Sequence, residues 1–200
     1  MSSILIQAWT VHKSGGEYYL TYTHWIYLKE IVKYYDNICL LSPIKIHKSL
    51  IKEEMVPINF FTNVTVKELP YSNSYISAVK YFFKYLSAYK NLNKFDVSYA
   101  RYPIPFGWLQ KIYMKKSKRI IHFVGDPINT IKKNPNLSSL KKLFLIFFFF
   151  SIFLMYMWAC KKAAVYTNGF HIKKKLRKYG VEAMPVISST LKADDFYFDA

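Results

Sequence analysis

Asp126 is the one acid between Arg101 and Gly180, a stretch that holds 17 Lys or Arg. It stands in Gly125-Asp126-Pro127, after an apolar run and before a proline. A carboxylate so placed can accept hydrogen bonds from sugar hydroxyls or assist a proton transfer. The plain alternative is an aspartate that satisfies turn amides ahead of a helix. Arg101, in Ala100-Arg101-Tyr102-Pro103, offers a planar fork for phosphate or carboxylate, or else pairs with Asp126. Ser14-Gly15-Gly16-Glu17 has the spacing of a capping box, which puts Gly15 and Gly16 in the first turn of a helix. Glycine there costs about 1 kcal/mol per residue relative to alanine. A pair points to close approach of a ligand to bare amides, where anions and hydroxyls bind; the other reading is a tight turn. His12 and His24 lie near this loop with no metal partner at a useful spacing, and His122 sits in a strand pattern where packing is its expected role.

Several chemistries find no support. No Gly-x-x-x-x-Gly-Lys-Ser/Thr loop is present for a nucleotide triphosphate, no Gly-x-Ser-x-Gly elbow for a hydrolase, and no Gly-x-Gly-x-x-Gly run for a dinucleotide. Cys39 and Cys160 make neither a disulfide framework nor a metal spacing, so no metal is expected and a reducing compartment is the simplest setting. The start, Met1-Ser2-Ser3-Ile4, does not read as a signal peptide.

The elements that must position these residues alternate. Two hundred residues at 52% hydrophobic content suffice for one α/β domain. Ile4–Ile6, Ile38–Leu41 (stopped by Ser42-Pro43), Asp96–Ala100, Arg119–Val124, Ala163–Tyr166 and Met184–Ile187 read as strands. Weaker strand candidates are Ile58–Phe61 and Val64–Val66. Helices are expected after Gly16, over Tyr75–Leu92 with Ile76, Val79, Phe83 and Leu86 on one face, over Gly107–Lys116, and up to Gly180. The order predicts a single Rossmann-like domain: a mainly parallel sheet with helices on both faces and ligands at the carboxyl ends of the strands. Thr10–Gly16, Arg101–Gly107, Gly125–Pro127 and Thr167–Gly169 then gather at one edge.

Leu143–Cys160 has 18 residues of which only Ser151 is clearly polar, between Lys141-Lys142 and Lys161-Lys162. Its length qualifies it as a membrane span. The strands on either side oppose that, because they belong to one sheet and a bilayer core of about 30 Å would part them. A crossover helix is preferred, with one face on the sheet and the other in a bilayer surface. Phe147, Phe148 and Trp158 would then enter the membrane, while Lys141, Lys142, Lys161 and Lys162 hold anionic headgroups. Burial by a further domain is the other non-spanning reading. The formal charge of +17 favours an anionic partner. Nucleic acid is disfavoured, because the aromatic residues follow core patterns instead of forming a stacking platform.

With these residues in hand, the chain resembles the amino-terminal half of glycosyltransferase family 4, which has the two-domain GT-B fold. The likeness lies in Ile4–Ile6 leading to Ser14–Glu17, in Phe95–Pro103 leading to Gly107, in Arg119–Pro127, and in Lys162–Thr167 followed by a basic helix and Lys178-Tyr179-Gly180-Val181. It implies that residues 1–190 form the acceptor-side domain, that 191–200 begin an interdomain linker, and that the carboxy-terminal donor domain is absent. It implies retaining transfer of a sugar to a glycan or lipid-linked glycan, with Gly15, Gly16, Arg101 and Gly125 facing the acceptor and Asp126 nearest the chemistry. No cofactor is implied; a nucleotide sugar is the donor substrate, bound mainly by the second domain, which a separate chain could supply. Many relatives carry a histidine where Gly125 stands, although one subgroup has a Gly-Asp-Pro run. The expected location is the cytoplasmic side, peripheral on the inner face of the cell membrane, in polysaccharide or glycolipid assembly.

Overall fold

The computed structural model describes residues 2–48 and 55–186. The proposed linker 191–200, the domain end at 190 and Ile187 lie outside them. The chain opens with β1 (Ser3–Gln7), apolar through its middle as a strand covered on both faces must be. Next come β2 (Val11–Ser14) and β3 (Glu17–Thr21), antiparallel, with Ser14 opposite Glu17. Gly15 and Gly16 form the loop between them at φ of 57° and 89°. The capping-box reading is therefore corrected. Two successive positive φ values suit the two-residue turn whose twist matches a hairpin, and glycine adopts them without a Cβ penalty. The helix starts later, as α1 (Tyr22–Ile31) after Thr21.

The next strand, β4 (Asn37–Ile46), runs straight through Ser42-Pro43. On one side it pairs with β1 as far as Leu40 and with β2 from Ile44 onward. Pro43 falls in the gap between these partners, where a strand loses least by lacking an N–H. After β5 (Met55–Pro57) the candidate strand Ile58–Phe61 is a turn, whereas Val64–Val66 begins β6 (Val64–Pro70). The expected Tyr75–Leu92 helix is α2 (Tyr75–Ala78), a 3-10 turn at Val79–Tyr81 and α3 (Phe82–Asn91), opened by a Ser74–Ser77 capping box. Its core-facing side differs from the expected one. Ala78, Tyr85, Ala88 and Tyr89 are buried, while Ile76, Val79 and Phe83 are exposed.

The second half follows the predicted order. It holds β7 (Val97–Tyr102), a 3-10 turn at Gly107–Leu109, α4 (Gln110–Tyr113), β8 (Lys118–Phe123), α5 (Pro127–Lys133), α6 (Ser139–Cys160), β9 (Ala164–Asn168), α7 (Phe170–Arg177) and β10 (Met184–Val186). After α7, Gly180 N–H bonds Arg177 O and Val181 N–H bonds Leu176 O, the two bonds of a Schellman end.

The sheet order is β10-β9-β8-β7-β1-β4, with β6 beyond β4 and the β2-β3-β5 arm alongside the far half of β4. All pairings except those within the arm are parallel. The molecule is thus a Rossmann-like α/β domain whose strand order reverses between β1 and β7, the place where such sheets open a crevice. One face carries α1 over Ile4, Ile6, Ile38 and Leu40; the other carries α3 and α4 over Leu5 and Leu41, and α5–α7 over Ile121, Phe123 and Val165.

Helix α6 is the one described helix long and apolar enough to cross a membrane, by length and composition only. Its inner side, with Phe149, Phe153, Tyr156 and Met157, is buried. The strands before and after it, β8 and β9, pair directly from Ile120–Ala164 to Phe123–Thr167. Both ends of α6 therefore return to one sheet. Buried Arg119 on β8 holds the far end, donating to the carbonyls of Ala159, Lys161 and Lys162, where the helix dipole favours a cation.

Candidate functional site

The switch point opens as a cleft built from three chain segments. Residues 8–10 leave β1 before the chain rejoins β4 as β2, and their interruption of the ladder turns Trp9 and Thr10 into the opening. Arg101 to Pro105 continue β7 and form a second wall. Tyr71 to Tyr75, between β6 and α3, form the third. Two adjoining chambers of about 250 and 320 Å³ share Ala8, Trp9, Thr10, Tyr75 and Ile104.

Polar groups here fall into two kinds. Some are committed. Gln7 accepts from the Tyr89 hydroxyl and donates to Pro105 O at 2.8 Å, and the Tyr75 hydroxyl donates to Pro103 O. Others are unmet. Trp9 is 6% exposed and Tyr85 1% exposed, and among the described residues neither the indole N–H nor the Tyr85 hydroxyl has a hydrogen-bond partner. Both line the chamber that contains Gln7 and Asn73. Trp25 Nε1, Ser42 Oγ and Tyr102 OH are likewise unmet among the described residues, and each such atom costs about 1–3 kcal/mol when left without a bond.

The second chamber is cationic and imidazole-rich. Arg101 lines it half-buried, and no ion pair to a carboxylate is formed by it among the described residues. His24 stacks on Trp9 with ring centres 5.6 Å apart and its Nδ1 lies 3.0 Å from Thr21 Oγ1. Burial, then the Arg101 charge and His12, push the His24 pKa down to about 4. His12 Nδ1 meets His47 Nε2 at 2.8 Å, and burial followed by His47 and Lys45 lowers the His12 pKa as well. The His24 ring is thereby held neutral near pH 7, and His12 is pushed in the same direction. On the sheet face beside Arg101, Tyr99 OH lies 2.8 Å from His122 Nδ1, and His122 Nε2 lies 2.8 Å from Asn168 Oδ1. His122 is thus part of a polar row that reaches the cleft, beyond the packing role its strand position suggested.

The residues singled out from sequence separate in space. Arg101 lines the cleft. Gly125 is half-buried, with Pro103 Cδ at 3.8 Å from the place of a Cβ, and its neighbour Val124 lines the chamber. Asp126 caps α5, accepting the Asn129 N–H at 3.2 Å, and both its oxygens take a 2.7 Å bond from Lys175. Its partner is Lys175, not Arg101. Gly15 and Gly16 sit at the tip of the β2–β3 hairpin, outside the lining of these two chambers, so their amides belong to a turn and not to a helix start. Trp9, Tyr85, His24 and His12 are brought together by the fold alone. The one sequence signal was a tryptophan directly after a buried strand, at the ligand edge.

On α6, Phe147 is 73% and Trp158 43% exposed, and Lys141, Lys161 and Lys162 are exposed. Lys142 and Phe148 are only half-exposed, Phe148 turning towards α3. Among the described residues no cluster of three His, Cys, Asp or Glu could hold a metal ion. No protein-family model matches this chain, and no curated protein matches it significantly.

Proposed function

We propose that the chain is the acceptor-side unit of a retaining, nucleotide-sugar-dependent glycosyltransferase of the GT-B type. It would act on a glycan or lipid-linked glycan at the cytoplasmic face of an anionic membrane. The carrying observation is a crevice at the strand-order switch whose lining sets the rings of Trp9, Tyr75 and Tyr85 beside Arg101, His12 and His24. Aromatic rings edged by single hydrogen-bonding atoms suit a sugar, whose ring has apolar faces and a rim of hydroxyls. Transfer needs donor and acceptor at reacting distance, so a donor-binding unit must close over the cleft. Asp126, tied to Lys175, takes a structural part in this reading by fixing the start of α5. Hydrogen bonding to acceptor hydroxyls falls to Tyr85, Trp9 and the neutral imidazole of His24.

The test is titration of the chain with free and lipid-linked oligosaccharides, followed by tryptophan fluorescence. Saturable quenching that is reduced in both Trp9→Phe and Tyr85→Phe is expected. A second reading, an anionic-ligand-binding module without catalysis, is favoured by a cleft lining that among the described residues contains Arg101 and no Asp or Glu. Saturation by phosphorylated compounds with no response to any carbohydrate would select it.

A further inference from the structure

An apolar groove of about 470 Å³ runs between α2–α3 and α6. That is within the size range of small-molecule sites. Val79, Phe82 and Phe83 form one wall; Ile152 and Met155 form the other; Phe106 and Trp108 lie at its floor. The Ser151 hydroxyl is tied to Phe147 O at 3.0 Å within the helix. Tyr75 and Pro105 line both this groove and the polar cleft, so the two adjoin across those side chains. Because the Tyr75 hydroxyl is bonded to Pro103 O, the junction presents a ring face and no free polar group.

We infer that the groove holds the hydrocarbon chain of a single-chain anionic amphiphile whose head lies in the cleft. The anionic head follows from charge complementarity. Among the described residues no Asp or Glu lines the groove or the cleft, and half-buried Arg101, at the cleft's far end, forms no carboxylate pair. The chain follows from shape. The outward residues of α6, such as Phe144 at 58% and Phe147 at 73% exposure, already suit a flat bilayer surface, whereas a concave slot that leads into a polar chamber fits one chain and its head. The inference rests on the acceptor-cleft reading for the place of the head and not on sugar transfer.

The experiment is binding of n-octyl, n-decyl, n-dodecyl and n-tetradecyl phosphate to the whole chain, each below its micellar concentration. Affinity is expected to rise roughly fourfold per methylene and then level off where the groove is full. Val79→Trp, at an exposed position, fills the slot; it should cut n-dodecyl phosphate affinity about tenfold or more and move the levelling-off to shorter chains. Phe83→Glu, exposed as well, should act alike. Arg101→Gln should weaken all four by the same factor and keep the slope. Affinity that climbs without levelling off, as in partition onto a greasy surface, overturns the inference. So does Val79→Trp binding unchanged, or a concentration-dependent dimer that Val79→Trp dissolves, which would make a second copy the occupant. Alkyl phosphates that bind while no sugar does would keep the groove and remove the sugar-transfer reading; sugars binding without alkyl phosphates would do the reverse.

Discussion

At the scale of single residues, the site is defined by atoms that the fold leaves unmet. Tyr85 shows the conflict most directly. Its hydroxyl is buried beside the cleft and has no partner among the described residues, and burial raises its pKa well above the usual tyrosine value. Tyr85→Phe should therefore gain about 1 kcal/mol of stability, because an unsatisfied hydroxyl is removed from the interior. The same variant should lose acceptor affinity. Denaturant unfolding and the fluorescence titration read the two effects; a variant less stable than the wild type would mean the hydroxyl has a partner. His24 adds a pH dependence. Its folded pKa of about 4 lies below the usual 6.5, so the unfolded chain takes up a proton first as pH falls. Stability from this group is complete above pH 6.5 and is lost as pH drops towards 4. Burial leads the lowering of His12 and His122 in the same direction. The melting temperature should fall across that window, and His24→Gln should remove part of the slope; an identical slope in the variant would contradict the burial of the ring.

At the scale of elements, the loop after β7 is what links cleft, groove and α6. The Tyr156 hydroxyl on α6 donates to the carbonyls of Arg101 and Ile104, pinning that loop from beneath. Gly107 makes room for it. A Cβ there would run into the Tyr156 hydroxyl and lie 3.1 Å from Ala100 Cβ. Gly107→Ala should cost about 1–3 kcal/mol. Tyr156→Phe in the same chain should return part of that loss, a coupling that a double-mutant cycle measures. Independent, additive losses would show that the contact does not limit the packing. Elements were also where sequence patterns were read with least success. Ser14–Glu17 has the spacing of a capping box and the composition of a hairpin turn, and local composition does not choose between them. Pairing of β2 with β4 chooses. The α2–α3 stripe of Ile76, Val79 and Phe83 has a core-like period, yet Tyr85 and Tyr89 occupy the core while Val79 and Phe83 border the groove.

At the scale of the whole molecule, charge and greasy surface coincide. Exposed Leu143, Phe144 and Phe147 lie between the lysine pairs at the two ends of α6. The chain should cosediment with anionic vesicles and release as salt rises, since exposed charges are screened beyond about 10 Å at 0.1 M ionic strength. Each lysine near the surface contributes about 1 kcal/mol, so Lys161→Glu with Lys162→Glu should weaken binding by at least tenfold. Phe147→Asp should weaken binding at every salt concentration. Equal binding to neutral and anionic vesicles would remove the electrostatic part of this account. Because β8 and β9 are paired, any contact of the helix between them with a bilayer would be made from one side.

Alternation of apolar runs with helical stretches determined the parallel α/β architecture, because a strand buried on both faces has few other sequences open to it. The position of Arg101 at a strand end was legible for the same reason, as was the basic half of the chain from its lysine count. Trp9, Tyr85, His24 and Arg101 are far apart in the chain, and no spacing rule relates them. Their convergence was decided by where the strand order reverses and by the break between β1 and β2. The state of Asp126 was likewise tertiary, since its partner Lys175 comes from a helix that only the pairing of β8 with β9 brings alongside. Local propensity acts over a few residues, whereas a site is made by contacts between segments whose proximity is a property of the folded sheet.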